Sequence, residues 1–364
     1  MTDSIETIRV ALGERSYPIE IGTGNLAEVG RFLSDLADVD HVVVVTDSDV
    51  EPLYAAKVGD SLAQDGAEID LVVIEAGEPS KAASVAEAAW EKLLDVGADR
   101  QTVVAALGGG VVGDLAGFVA ATYARGLRFL QLPTTLLAQV DSSVGGKVGI
   151  NLSEAKNMVG AFWQPIGVLI DTNVLGTLPR REFISGLAEV VKYGVILDTE
   201  FFGYLENHVA ELNAREAGVL RRIIARSCRL KADVVEADER EIAGGRAVLN
   251  YGHTFAHALE TVAGYGELLH GEAVAIGMMC AARLAERLRR VDAKFVKRQE
   301  SLLVALGLPV DLPATDHDAL LDAMARDKKS QAGRLRFVLP NRLGHVELVP
   351  GVSRADAQAA LHLH

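Results

Sequence analysis

Cysteine is nearly absent: Cys228 and Cys280 are the two in 364 residues, and no CxxC spacing occurs. That excludes a disulfide scaffold and a thiolate zinc site, and it fits a reducing compartment. Basic residues are outnumbered, 36 Lys and Arg against 50 Asp and Glu, for a net charge of −14. A chain of that sign is not built to coat nucleic acid or an anionic membrane, so neither is expected as a partner. No long apolar run survives either. The most apolar window, 103–121, holds Asp114 and five glycines, which suits a strand, a turn and a buried helix, not a membrane span. The opening MTDSIETIRV lacks a basic start followed by an apolar block, so a cytoplasmic enzyme is expected. Internal repeats, low-complexity tracts and long linkers are missing as well. What remains is 49% hydrophobic and 24% charged, a globular composition with room for about two domains.

The spacing predicts strands over 5–12, 17–21, 41–46, 69–74, 102–107, 127–132 and 167–171, with helical patterns over 25–37, 50–65, 80–96 and 112–124 between them. Strands separated by helices of that length imply parallel βαβ units in a doubly wound sheet. After about residue 176 the pattern turns helical: 181–197, 199–211, 215–237, 246–263, 271–290, 294–306 and 316–326. Only 335–339 and 345–349 then read as strands, a late hairpin. The expected architecture is an α/β domain over 1–175 followed by a mainly α-helical one over 176–364, with a site between them.

Residues 103–114 read VVAALGGGVVGD, and Gly108, Gly110 and Gly113 fit G-x-G-x-x-G between a strand and a helix. Glycines there let the backbone approach a pyrophosphate, and the helix N-terminus supplies free N–H groups. The dinucleotide fingerprint also expects an acid about 20 residues on. None stands in FLQLPTT, and the better ribose partner is Asp47, ending VVVVTD. A second glycine pair precedes Lys147 in DSSVGGKVGI, but Asp141 and Val148 occupy positions where a P-loop needs Gly and Ser or Thr. The ATPase reading fails.

Three of nine histidines fall between 253 and 270, where random placement puts about half of one. His253 and His257 stand at i and i+4, on one helical face, and His270 opens the next helix. Such a set suits a zinc-like divalent ion. The zincin protease pattern needs Glu after the first histidine, and Thr254 stands there. A carboxylate from another helix completes the set, with Asp233, Glu236, Glu239, Glu241 and Glu189 as candidates. Glu189, in SGLAEVVKYG, sits among apolar residues where an unpaired carboxylate is costly, with Lys192 three residues on. Arg125 and Lys147 flank glycine-rich turns, which favours contact with anions. The residues alone point to a metal- and nucleotide-dependent enzyme acting on a small anionic substrate.

The segments ALGGGVVGDLAGF, LPTTLLAQVDSSVGGK, KNMVGAF, SGLAEVVKYG, KADVVEADERE, LNYGHTFAHALE, LHGEAVAIGM and RDKKSQAGRLRFVLP occur in this order. Together they resemble the 3-dehydroquinate synthase family over nearly the whole chain. The resemblance implies an NAD-binding α/β domain with a mainly parallel sheet, followed by a mainly α-helical domain binding metal and substrate. It also implies a homodimer, and conversion of 3-deoxy-D-arabino-heptulosonate 7-phosphate, a small anionic sugar phosphate, into 3-dehydroquinate and phosphate. By motif position the metal ligands, for Zn2+ or Co2+, are Glu189, His253 and His270, leaving His257 as an active-site residue beside the ion. NAD contacts fall on Asp47, Glu78, Lys81, Gly109, Gly110, Val111, Val112, Gly113, Asp114, Thr134, Thr135, Asp141, Lys147, Lys156, Val174, Leu175, Gly176 and Thr177. Substrate contacts fall on Asp141, Lys147, Asn157, Lys192, Lys231, Glu241, Arg246, Asn250, Lys328 and Lys329, with Arg125 reaching across a dimer interface.

The chain departs from the family pattern at Ala256, where GHTFGH has glycine, in AGEPSK for DGEQYK, at Val148, and by one extra residue before Arg246. Other sugar phosphate cyclases share the NAD and metal residues, but their substrates lack the carboxylate that Lys231, Arg246 and the Lys328–Lys329 pair suit. A metal-dependent polyol dehydrogenase shares the domain order and differs in accumulating NADH.

Overall fold

The computed structural model describes residues 5–152, 155–264, 267–326 and 335–361, so Lys328 and Lys329 lie outside the described residues. The chain forms two compact units: Met1–Leu178 with Leu220–Arg240, and Pro179–Val219 with Glu241–His364. A single cut at 175/176 therefore misplaces residues 220–240, which belong with the α/β unit. There the Arg229 guanidinium donates to the Arg9 carbonyl at 2.8 Å, and Glu236 accepts from the Ala11 N–H at 3.0 Å. Nothing in the linear pattern distinguishes that long helix from its neighbours.

In the first unit the strands are β1 (Glu6–Val10), β2 (Tyr17–Gly22), β3 (His41–Asp47), β4 (Glu68–Ile74), β5 (Val103–Gly108), β6 (Arg128–Pro133), β7 (Lys147–Leu152), β8 (Ala155–Phe162) and β9 (Gly167–Asp171). Seven form one sheet in the order β1-β2-β9-β6-β5-β3-β4, parallel throughout except for β1 on β2. Helices α1 (Val29–Ser34), α2 (Ala56–Gln64), α3 (Ala83–Asp95) and α4 (Gly110–Thr122) cover it. Strand β3 shows why the run HVVVV is nearly all valine. Val42 and Val44 pack with Phe32, Leu33, Val58 and Leu62 of α1 and α2. Val43 and Val45 pack with Ala86, Leu93, Leu115 and Val119 of α3 and α4. A strand buried on both faces has no polar side to show. The chain passes from β4 to β5 on the other side of β3, so the carboxyl ends of β3 and β5 flank the topological switch point, where α/β sheets bind ligands.

The β7–β8 hairpin escapes the sequence pattern because Gly149 and Gly160 read as breakers. Here they permit close pairing: a Cβ on Gly149 would lie 2.6 Å from the Val159 carbonyl oxygen, and one on Gly160 2.3 Å from that of Val148.

The remaining helices are α5 (Arg180–Leu197), α6 (Thr199–Asn207), α7 (Val209–Asn213), α8 (Ala217–Ala237), α9 (His253–Ala263), α10 (His270–Arg287), α11 (Ala293–Ala305), α12 (His317–Arg326) and α13 (Arg354–Ala359). Antiparallel β10 (Leu335–Arg342) and β11 (His345–Val352) form the late hairpin. The helix expected over 246–263 is interrupted: Gly252 adopts φ +79°, and α9 starts only at His253. None of the described helices is long and apolar enough to cross a membrane.

Candidate active site

In the second unit, α5, α9 and α10 meet through backbone contacts that only glycine allows. A Cβ on Gly271 would fall 1.8 Å from the Ser185 carbonyl oxygen, and one on Gly277 2.3 Å from that of Gly252. The Gly271 N–H donates to Ser185 Oγ at 3.0 Å. Glu272 caps α10 by accepting from the Leu269 N–H at 2.9 Å, and Arg181 grips the same carboxylate at 2.7 and 2.8 Å. This packing sets the first residues of α9 and α10, His253 and His270, over Glu189 on α5.

Glu189, His253 and His270 each offer a ligand atom, and these atoms lie within 4.8 Å of one another. The two imidazole Nε2 atoms stand 3.7 and 4.0 Å from Glu189 Oε1. Glu189 is 0% exposed; the buried Lys192 ammonium pairs with its Oε2, while Oε1, the oxygen facing both imidazoles, has no hydrogen-bond partner. A buried carboxylate oxygen left without a hydrogen bond beside two imidazole Nε2 atoms makes room for a second cation, and this donor set fits zinc or cobalt. The His253 Nδ1–H donates to the Tyr251 carbonyl at 3.1 Å, which leaves the Nε2 lone pair toward the pocket. Burial holds His253 well below the usual imidazole range, reinforced by Lys192 and the neighbouring histidines. The neutral form is the ligating one. His257 is not part of the trio; its ring stands edge-on to His253 with centroids 5.5 Å apart.

Nearby in the same unit, Glu241, Asn250, Thr254 and Arg336 help to line a cavity of about 280 Å³. Arg246 is 2% exposed, with Nε 4.0 Å from Glu241 Oε1. Ala256 is fully buried.

In the first unit, Asp47 ends β3 and the glycine turn ends β5. A Cβ on Gly109 would come 3.0 Å from Thr135, one on Gly110 3.2 Å from Ser142 and one on Gly113 3.0 Å from Gln131. This cradle, opening on the unpaired N–H groups of α4's first turn (Gly110, Val111 and Val112), fits a pyrophosphate. Burial raises the Asp47 carboxyl, partly offset by N–H bonds from Asp49 and Val50 at 3.0 and 2.9 Å. Lys81 is buried and donates to Asp114 at 2.7 Å and to Asn157 at 2.5 Å. Burial pushes Asp114 up, with Lys81 pulling it down. Asn151, which the sequence reading missed, ties this cluster to Glu78 at 2.8 Å and to the Asn157 N–H at 2.8 Å. Lys231 donates to Asp141 through both its carboxylate and its carbonyl, at 2.8 and 2.7 Å.

The Thr134 N–H donates to the Gly108 carbonyl at 2.9 Å, while Tyr54 hydrogen-bonds Thr177 at 2.6 Å and the Val174 carbonyl at 3.3 Å, holding the turn that includes Leu175 and Gly176. Lys147 is exposed at the start of β7 and Lys156 is half-buried on β8. Arg125 is exposed and, like Ala124, adopts a left-handed backbone, at φ +68° and +47°. Two such non-glycine residues in succession store strain of a kind that collects at functional turns.

Family models described as 3-dehydroquinate synthase N-terminal and C-terminal match residues 71–185 and 186–330. A 3-dehydroquinate synthase of Rhodopirellula baltica is 51% identical over 99% of this chain and 98% of its own. Among solved structures, 2-deoxy-scyllo-inosose synthase complexed with carbaglucose-6-phosphate, NAD+ and Co2+ matches at a TM-score of 0.90 and 27% identity, over 98% of this chain and 99% of that one. The 2-epi-5-epi-valiolone synthase of Streptomyces hygroscopicus, with NAD+ and Zn2+ bound, matches at 0.88 and 30% identity, over 96% and 97%.

Proposed function

The chain belongs to the 3-dehydroquinate synthase family, and from that premise we propose how its residues divide the work. It is a lyase that converts 3-deoxy-D-arabino-heptulosonate 7-phosphate into 3-dehydroquinate and phosphate, using NAD and a divalent Zn2+ or Co2+ ion. Its 51% identity to curated synthases, against 27–30% to the two other cyclases, separates these readings.

When bound, the ion supplies Lewis acidity that favours proton loss from a secondary alcohol, and NAD supplies a hydride acceptor that returns what it takes. In our reading Glu189, His253 and His270 hold the ion, and the observation that carries this is their three ligand atoms lying within 4.8 Å of one another, with the buried Glu189 Oε1 lacking a hydrogen bond. His257, one turn along α9, holds or passes a proton at its imidazole. Lys147, Asn157, Lys192, Asp141-held Lys231, Arg246 and Asn250 bind and orient the substrate's polar and anionic groups. Fixed cations of this kind supply orientation, which accounts for much of the rate in a multistep conversion of one flexible molecule. NAD lies on the glycine cradle, with Asp47 on a ribose and the Lys81 cluster beside it.

Two copies associate in the cytoplasm, in our reading through β7–β8. Leu152, Met158, Val159 and Phe162 on this hairpin are all exposed, and exposed apolar side chains gathered on one hairpin favour burial against a second copy.

The ligand assignment is tested by metal content. Glu189→Gln and His270→Ala should each be purified with little bound metal, whereas His257→Ala keeps it. Full occupancy in the first two variants would refute the assignment.

A further inference from the structure

Resting on that ligand set, we propose that Glu260 is the positioning residue for His270, holding its Nδ1 proton so that Nε2 presents its lone pair beside Glu189. The two imidazoles are secured by different means. His253 is 11% exposed in its side chain and bonds a backbone carbonyl. His270 is 33% exposed in its side chain and opens its helix. The Glu260 carboxylate lies 3.5 Å from its Nδ1 and is itself only 10% exposed.

Glu260 follows His253 by seven residues, two helical turns, so both lie on one face of α9 with His257 between them. One helix thus presents a ligand, a proton-handling imidazole and the anchor for a ligand on the next helix. Charge points the same way. Lys192 pairs with Glu189 and offsets part of the pull that carboxylate has on a cation. A second carboxylate behind His270 restores it, and a carboxylate on Nδ1–H raises the basicity of Nε2. Glu260 closes the segment LNYGHTFAHALE, yet its spacing alone gives it no task. The task comes from where α10 begins.

The test is metal affinity by chelator competition on the purified enzyme, with the visible spectrum of the Co2+ form as a second readout. Glu260→Ala should weaken binding about 10- to 100-fold and alter the Co2+ bands, since lost outer partners cost that much. Glu260→Gln, keeping an acceptor without the charge, should fall between Glu260→Ala and the parent. Should Glu260→Ala fail to fold, Glu260→Gln decides the matter. Affinities within about twofold of the parent in the folded variants, well short of the outer-partner cost, would overturn the proposal if His270→Ala still loses its metal. Retention of metal by His270→Ala would instead overturn the ligand set beneath it.

Discussion

Asp47, in our reading the ribose partner of NAD, carries a cost in stability. Burial raises its carboxyl above the ordinary value of 3.8, so the folded chain holds that proton more tightly than the unfolded one. Its contribution is therefore fully present below pH 3.8 and is lost as the pH climbs through the folded-state value. Asp47→Asn should make the NAD-free protein more stable at pH 7 and flatten the acid side of its stability profile, as urea unfolding would record. The same change should weaken NAD binding about ten- to hundredfold, the worth of a charged hydrogen bond to a ribose hydroxyl. Unchanged NAD affinity would remove Asp47 from the cofactor site. At this scale the sequence was readable where a residue contradicts its surroundings. Glu189 stood out because a carboxylate among SGLA and VVKYG is costly, and it is fully buried. Asn151 gave no such signal. Its role depends on β7 and β8 folding back on the 78–81 turn.

Elements were legible where periodicity was strong, as in β3, α5 and α10, and illegible where glycine serves contact and not breakage. The β7–β8 hairpin was missed for that reason, and Gly252 cut the helix expected from 246. Gly271 makes the point testable. An added methyl would collide with the Ser185 carbonyl and push the start of α10 away from α5. Gly271→Ala should lower stability by about 1–3 kcal/mol, the usual range for overpacking, and weaken metal binding by displacing His270. An unchanged unfolding midpoint would show that the α5–α10 contact is looser than its geometry implies.

For the whole molecule, net charge proved a coarse guide. Despite the excess of acid, cations gather in the few segments to which we assign an anionic substrate. Association should likewise be decided locally. Met158→Asp together with Val159→Asp should shift the sedimentation coefficient from dimer to monomer, and a dimer surviving both changes would move the interface off β7–β8. The larger claim is that one chain carries NAD and metal chemistry that begins and ends without net oxidation. Phosphate release from 3-deoxy-D-arabino-heptulosonate 7-phosphate measures it directly, with NAD far below substrate, before and after thorough chelation. The account predicts many turnovers per NAD with no lasting NADH, abolished by chelation and restored by Zn2+ or Co2+. NADH accumulating in step with substrate consumed, or phosphate release indifferent to chelation, would contradict it.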